Sequence, residues 1–333
     1  MSNVLIEHLR ELCALRGVSG REDAVRDYIN KQLCGAGQTD ALGNLLVRRK
    51  PKIAFFAHMD EVGFLVRYVT LEGFLMVAPV GGVEVSAAMG ARVRVGEQAI
   101  PGVFGAKPVH LLSADEKSKL PAMDSLYIDV GAASREETEK CIRLGDSVTF
   151  ERRYTHTDGG CILSPALDDR AGCAVLLDIL LNTELPISAA FTVQEEVGTR
   201  GAQTAAYAMK LEIAIVLEAT TAADLPNTAD GKCVCEVGKG AVLSFMDNGT
   251  VYDRELFNLA LRIAEERGIP AQVKSMVAGG NDAAAIHKSR AGVRTLAISV
   301  PCRYLHSPCA VIAERDLIAV RDLCAAVAEN LCA

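Results

Sequence analysis

Residues 164–218 read SPALDDRAGCAVLLDILLNTELPISAAFTVQEEVGTRGAQTAAYAMKLEIAIVLE, and the class of fold follows from how the apolar residues in this stretch are spaced. Residues 169–181 are an apolar segment of helical length behind an aspartate pair. Residues 189–193 are a short run suited to a strand, 202–208 a second helix and 213–217 a second strand. The alternation continues downstream with strand 241–246, helix 252–267, strand 272–276, helix 282–287, strand 294–300 and helix 314–331. Strands alternating with helices predict an α/β sheet covered on both faces.

Upstream, the first 50 residues or so read as two helices followed by strands. The second helix, 21–33, follows a Gly-Val-Ser-Gly turn in which Ser19 is placed to cap it. Strands 44–49 and 53–57 are bounded by Gly43 and the Lys50-Pro51 turn, and they are expected to join the main sheet. Between 63 and 150 the texture changes to short strands separated by glycine-rich turns, with Leu71-Glu72-Gly73 as a hairpin turn. One helical segment is expected there, 134–141, with Ser134 capping and Glu137 in the capping-box position. The fold class is therefore α/β: a mixed, largely parallel sheet flanked by helices, with an inserted small β-barrel-like domain.

Composition narrows the function. Of 333 residues, 42 are Asp or Glu against 35 Lys or Arg, so no basic face for nucleic acid is expected. No apolar run reaches the ~18 residues of a membrane span. The longest, 74–83, is broken by Pro79, Gly81 and Gly82. The opening MSNVLIEHLRELCALRG has apolar residues at helical spacing among charged ones, unlike a signal peptide, so a cytoplasmic location is expected. The eleven cysteines are scattered without a CxxC pair and read as reduced, small apolar residues.

Five places put metal-capable side chains where a strand or loop meets the expected sheet edge, which is where open α/β sheets carry their sites. They are His58 and Asp60 in AFFAHMDEVG, Asp168 and Asp169 in SPALDDRAG, Glu195 and Glu196 in FTVQEEVGTRG, Glu218 in AIVLEATTAAD, and His306 in SVPCRYLHSP. Each alone has a plain structural explanation, such as a helix cap for Asp168-Asp169. Together they gather like charges at one edge, which is costly without cations. Two divalent ions would resolve the repulsion, and a two-metal site suits peptide hydrolysis. Oxygen and imidazole donors without thiolate are compatible with zinc, cobalt or manganese. One carboxylate must stay off the metals as general base, and the neighbours Glu195 and Glu196 can divide those roles.

The segments AHMDEVGF, LDDRAG, VQEEVGTRGA, GGNDAAAIH and ISVPCRYLHSP, in this order, resemble the glutamyl aminopeptidase group of co-catalytic metallopeptidases, some of whose members carry cellulase-like or endoglucanase-like labels. The resemblance runs nearly end to end. It implies an aminopeptidase acting on short peptides, with two divalent metal ions per chain, zinc or cobalt foremost. It implies that His58, Asp168, Glu196, Glu218 and His306 bind metal, with Asp168 bridging both ions. It further implies that Glu195 is the general base, that Asp60 orients His58, and that the Asp168–Asp169 peptide bond is cis. Residues 1–66 and 162–333 would form the catalytic domain, and 67–161 an inserted β domain that assembles homo-oligomers, dodecamers in this family. One position departs: many relatives carry aspartate where this chain has Glu218.

Two other functions are weighed. A glycoside hydrolase also uses paired carboxylates, but the chain has no tryptophan and few aromatics to stack on sugar rings. A catalytically silent assembly protein would need a lost ligand or base, and every key position here is a competent residue. His8 and His287 are read as structural, and His110 and His156 as remote from the site. The glycine pair before Asn281-Asp282 lacks the lysine of a phosphate loop and is read as a turn near the site, with Asn281 or Asp282 capping the next helix.

Overall fold

Leu5, Leu9 and Leu12 recur every three or four residues along the helix Ser2–Ala14 and are fully buried, facing the helix Leu167–Asn182. That second helix is apolar on nearly every side. It lies between the sheet, the first helix and the C-terminal helix Glu314–Cys332. The computed structural model describes residues 2–49, 52–229 and 231–333; the Lys50-Pro51 turn expected from the sequence lies outside them.

The strands, in chain order, begin with β1 (Gln38–Thr39), β2 (Leu45–Val47) and β3 (Ile53–His58). A second group follows: β4 (Gly63–Val69), β5 (Leu75–Val80), β6 (Arg92–Val95), β7 (Ile100–Gly105), β8 (Tyr127–Asp129) and β9 (Ser147–Phe150). The remainder are β10 (Thr155–His156), β11 (Cys161–Ser164), β12 (Ser188–Thr192), β13 (Ile213–Thr221), β14 (Ala241–Ser244), β15 (Ala271–Val273), β16 (Arg294–Cys302) and β17 (Ala310–Ala313).

Eight strands make the main sheet in the order β1-β2-β12-β3-β13-β16-β14-β15. The centre is parallel: β3 lies between β12 and β13, and β13 pairs with β16 along nine residues. These four strands therefore end at the same edge. The antiparallel pairings β1/β2, β2/β12 and β14/β16 make the sheet mixed. Period-two alternation sorts its residues between two cores. Phe55, Phe191, Ile215, Leu217 and Ile298 face the helices Ser2–Ala14, Leu167–Asn182, Arg254–Arg267 and Glu314–Cys332. Phe56, Ala190, Ala214, Val216 and Ala297 face Arg200–Met209 and Ala283–Ile286, whose alanines allow close approach.

Strands β4 to β9 close a six-stranded antiparallel barrel in the order β4-β5-β8-β7-β6-β9. Phe64, Phe104 and Phe150 fill its interior, the first two with ring centroids 4.8 Å apart. The β4–β5 hairpin turns on Gly73 at φ +93°, where an added Cβ would lie 2.9 Å from the Ser134 carbonyl oxygen. After the barrel, β10, β11 and β17 form a separate three-stranded sheet. The chain thus leaves the barrel through a strand pairing with residues 310–313 before it enters the helix Leu167–Asn182.

Several local expectations need correction. Ser19 does not cap the second helix, which runs Asp23–Gln32 behind Glu22; its hydroxyl instead donates to Asp60 Oδ2 at 2.6 Å. The 134–141 segment is only the short helix Arg135–Thr138. Ser134 accepts from the Glu137 amide, but Glu137 Oε2 accepts from Ala133 rather than from Ser134. It is not the only helix of the region, since Val85–Ala88 and Ala114–Lys117 are helical, the latter with a complete Ser113–Glu116 capping box. The short strands β1, β8, β9, β10, β11 and β17 were not individually expected; with two to four residues each they carry too little periodicity to register.

Candidate metal centre

His58 closes β3, fully inside the fold at 2% exposure. Parallel register sets Thr192, the last residue of β12, beside His58, so the chain that continues through Gln194 carries Glu195 and Glu196 over the same edge. Glu218 is the sixth residue of β13. Asp168 comes from a different direction, in the first turn of the helix Leu167–Asn182, behind Ala166 at φ +59° and followed by a cis peptide bond to Asp169. His306 follows β16 on a loop, with its own φ at +59°.

These side chains converge as two groups that share one carboxylate. His58 Nε2 lies 3.2 Å from Asp168 Oδ1 and 3.6 Å from Glu218 Oε2. His306 Nε2 lies 3.4 Å from Asp168 Oδ2 and 3.3 Å from Glu196 Oε2. Within each group the donor atoms all lie within 4.8 Å of one another. Both imidazoles turn Nδ1–H the other way. His58 Nδ1 donates to the Asp60 carbonyl at 3.1 Å, with Asp60 Oδ1 at 3.4 Å, and His306 Nδ1 donates to the Gly82 carbonyl at 3.0 Å. Donation from Nδ1 fixes the tautomer and leaves the Nε2 lone pair facing the carboxylates, as a metal-binding histidine requires.

The donor set fits a cation. Burial raises the Glu218 carboxyl to about 8, and burial also raises Glu195 and Glu196, so these acids are crowded where their charge is poorly solvated. Burial works against a charged His58, yet Glu218, Asp168 and Asp60 hold its pKa well above the ordinary value. Glu196 Oε1 is buried without a hydrogen-bond partner. Carboxylates with orphan oxygens around two correctly oriented imidazoles are what a divalent ion would satisfy.

Asp60 has a wider task than orienting His58. Its Oδ1 accepts the amide of Glu195 at 2.9 Å and its Oδ2 that of Glu196 at 3.1 Å, so it holds the tandem glutamates in place. Glu22 extends this support, its Oε1 accepting the amides of Gly20 at 2.7 Å and Gln194 at 3.1 Å. The sequence reading gave Ser19 another role and missed Glu22 and Gly82, because hydrogen bonds between distant turns leave no periodic trace. Asp169 stands outside both donor groups. Its Oδ1 accepts the Gly172 amide at 2.9 Å, inside its own helix. Asn281 caps the following helix, its Oδ1 accepting from Ala283 at 2.9 Å, while Asp282 is buried and takes the Thr192 hydroxyl at 2.5 Å. His8 and His287 bond locally, to Tyr28 and the Ala283 carbonyl, and His156 pairs with Glu314.

The sequence profile of the M42 glutamyl aminopeptidases matches residues 43–323, which span every one of these donors. The chain belongs to the M42 glutamyl aminopeptidase family. Its relatives include the lysyl aminopeptidase of Pyrococcus furiosus, 34% identical over 98% of this chain and 97% of the relative. The glutamyl aminopeptidase of Lactococcus lactis is 31% identical over 98% and 96%. Among solved structures, the TET1 peptidase of Pyrococcus horikoshii, described as assembling into a tetrahedron or a large octahedral shell, superposes with a TM-score of 0.87 at 34% identity, covering 97% and 99% of the two chains. A Thermotoga maritima protein described as an endoglucanase has the same fold, with a TM-score of 0.79, 32% identity and coverage of 97% and 99%. As an M42 member the protein is a metal-dependent aminopeptidase, a hydrolase of peptide bonds, and the glycoside-hydrolase alternative is set aside.

Proposed function

We propose that the protein holds two divalent metal ions, zinc or cobalt, one in each donor group, and removes N-terminal residues from short peptides. The supporting observation is Asp168, whose two oxygens face different histidines. His58, Asp168 and Glu218 would hold one ion, and Asp168, Glu196 and His306 the other. When bound, such a pair polarises the scissile carbonyl and makes water acidic enough to attack at neutral pH. Glu195 belongs to neither group and lines the same cleft, which suits a general base that takes a proton from water and returns it to the departing amine. Burial raises its carboxyl well above the ordinary range, toward a base that also donates.

Residues 1–66 and 162–333 act on this reading as the catalytic domain, and the insertion 67–161 carries assembly contacts. The barrel supports that role with Val109, Leu111 and Leu120, which are 71%, 59% and 65% exposed. The proposed assembly is a homo-oligomer, a dodecamer like that implied by the resemblance, working in the cytoplasm. Among the described residues no helix is long and apolar enough to cross a membrane.

Metal analysis combined with Glu195→Gln and Glu196→Gln tests the site. Glu195→Gln should lower turnover by roughly 10²–10⁴-fold with metal content unchanged, whereas Glu196→Gln should lose affinity at one ion and recover at high metal. The opposite pattern would exchange the two roles, and full activity after exhaustive chelation would refute metal dependence.

A further inference from the structure

Just past His58 and Asp60, Glu61 is buried at 3% exposure, and one of its oxygens collects partners from separate segments of the chain. Oε1 accepts the Gly17 amide at 2.9 Å, Arg170 Nη2 at 3.4 Å and Arg152 Nη2. Gly17 leads out of the first helix, Arg152 follows β9 out of the barrel, and Arg170 comes shortly after Asp168. Arg170 is fully buried and also donates from Nη1 to the carbonyls of Leu12 at 2.7 Å and Leu15 at 3.2 Å. The chain needs glycine at position 17, because an added Cβ would lie 2.8 Å from Arg170 Nη2.

Stability alone does not account for this cluster. Two guanidiniums share one carboxylate, and burying ions is costly even when they are paired. Arg152 Nε and Nη1 and Arg170 Nε are buried without a hydrogen-bond partner among the described residues. Apolar side chains of similar volume often hold such a junction at least as firmly. What the ions add is a defined place for each segment. The Glu61 amide donates to the Gly17 carbonyl at 3.0 Å, and Val18 forms a parallel bridge with Glu61. On the barrel side, Arg16 donates to the carbonyls of Gly96 and, at 2.8 Å, Glu97. Gly63 opens the barrel so tightly against this seam that an added Cβ would lie 2.6 Å from both the Val148 carbonyl and Val18 Cγ2.

We propose that Glu61 is a positioning residue of the metal centre. Through Arg170 it sets the place of Asp168 relative to His58, and through Arg152 it holds the barrel, with the Gly82 carbonyl that orients His306, to the same frame. This rests on the two-metal reading above. Asp168 and Asp169 depart from helical φ/ψ, so Arg170 is the first residue behind Asp168 in regular helical conformation. Glu61 ties that residue to the strand exit carrying His58 and Asp60.

The test is competition for the metals between the protein and a chromogenic chelator, read as the affinity for each ion below the Tm of every variant. Glu61→Met should lower Tm and weaken the ion at His58 and Asp168 by about 10–100-fold. Arg152→Met keeps the Glu61–Arg170 pair and frees only the barrel. It should spare that ion and weaken the one at Glu196 and His306 by about tenfold. The double variant restores the cluster's net charge with apolar packing, so it should regain much of the lost Tm but not the lost metal affinity. Affinities that simply follow Tm across the three variants would mark a structural role and overturn the proposal. So would Arg152→Met with both ions bound as in the wild type, a result available even where Glu61→Met does not fold. A wild type that takes up no metal would refute the two-metal reading itself, whereas two ions bound equally well by wild type and folded Glu61→Met would refute only the role of Glu61.

Discussion

His58, Asp168 and Glu218 sit on or against the sheet, whereas Glu196 and His306 reach the same aspartate from two loops. The first group is nearly sealed, with His58 at 2% and Glu218 at 6% exposure. The second is more open, its His306 side chain 31% exposed. They differ also in what holds them. His58 is braced by Asp60, two residues along its own strand exit. His306 is braced by Gly82, from a segment of the barrel 224 residues away in sequence. The first group is placed by parallel-strand register, while the second is completed by two loops and by a carbonyl next to the barrel. The barrel therefore bears on the candidate metal centre as well, because the segment after β5 carries the carbonyl that orients His306.

Asp168 is where the difference should vanish. Asp168→Ala removes the carboxylate both groups use, so metal analysis should show both ions lost and activity should fall below detection. Retention of one ion at full occupancy would show that Asp168 does not bridge.

A smaller effect should split the groups. Gly81 precedes the bracing carbonyl at φ +78°, and an added Cβ would lie 2.8 Å from Val62 Cγ1 and 3.2 Å from Glu196 Cβ. Gly81→Ala should weaken the ion at Glu196 and His306 by about 10–100-fold, the usual cost of disturbing a ligand's support, while the ion at His58 stays bound. Metal titration read at both occupancies distinguishes this from a general loss. Equal weakening of both ions would mean that the two groups are not separately supported.

The smallest effect concerns Glu22, which holds the amide of Gln194 just ahead of the tandem glutamates. Burial raises its carboxyl to about 7 from an ordinary 4.5. Because the folded pKa is the higher one, its stabilising contribution is complete below about 4.5 and is lost as pH rises through 7. Glu22→Gln keeps the acceptor oxygen without the charge. It should raise Tm at pH 8 by on the order of 2–4 °C, with little gain at pH 5. A gain of equal size at both pH values would remove the titration as its cause.

The side chains that the structure gathers into the two candidate donor groups were legible in the sequence for a physical reason. A strand that must end at a polar edge leaves an apolar run followed by a ligand, as in AFFAH or AIVLE, and parallel neighbours deliver such residues to one place. Helix–strand alternation was legible because burial on two faces imposes periods of 3.6 and 2 over many residues. Ser19 misled for the opposite reason. A serine after a turn and before a helix satisfies the capping rule locally, and nothing nearby in the chain shows that Asp60 will claim its hydroxyl. Closure of the barrel, the sharing of Asp168 between two imidazoles and the reach of Gly82 to His306 all depend on segments far apart in the chain. The sequence by itself determined which side chains were available and which strands and helices would carry them. Only the tertiary structure decided which of them share an oxygen, a carbonyl or a cleft, because those relations are distances between elements and no local pattern encodes them.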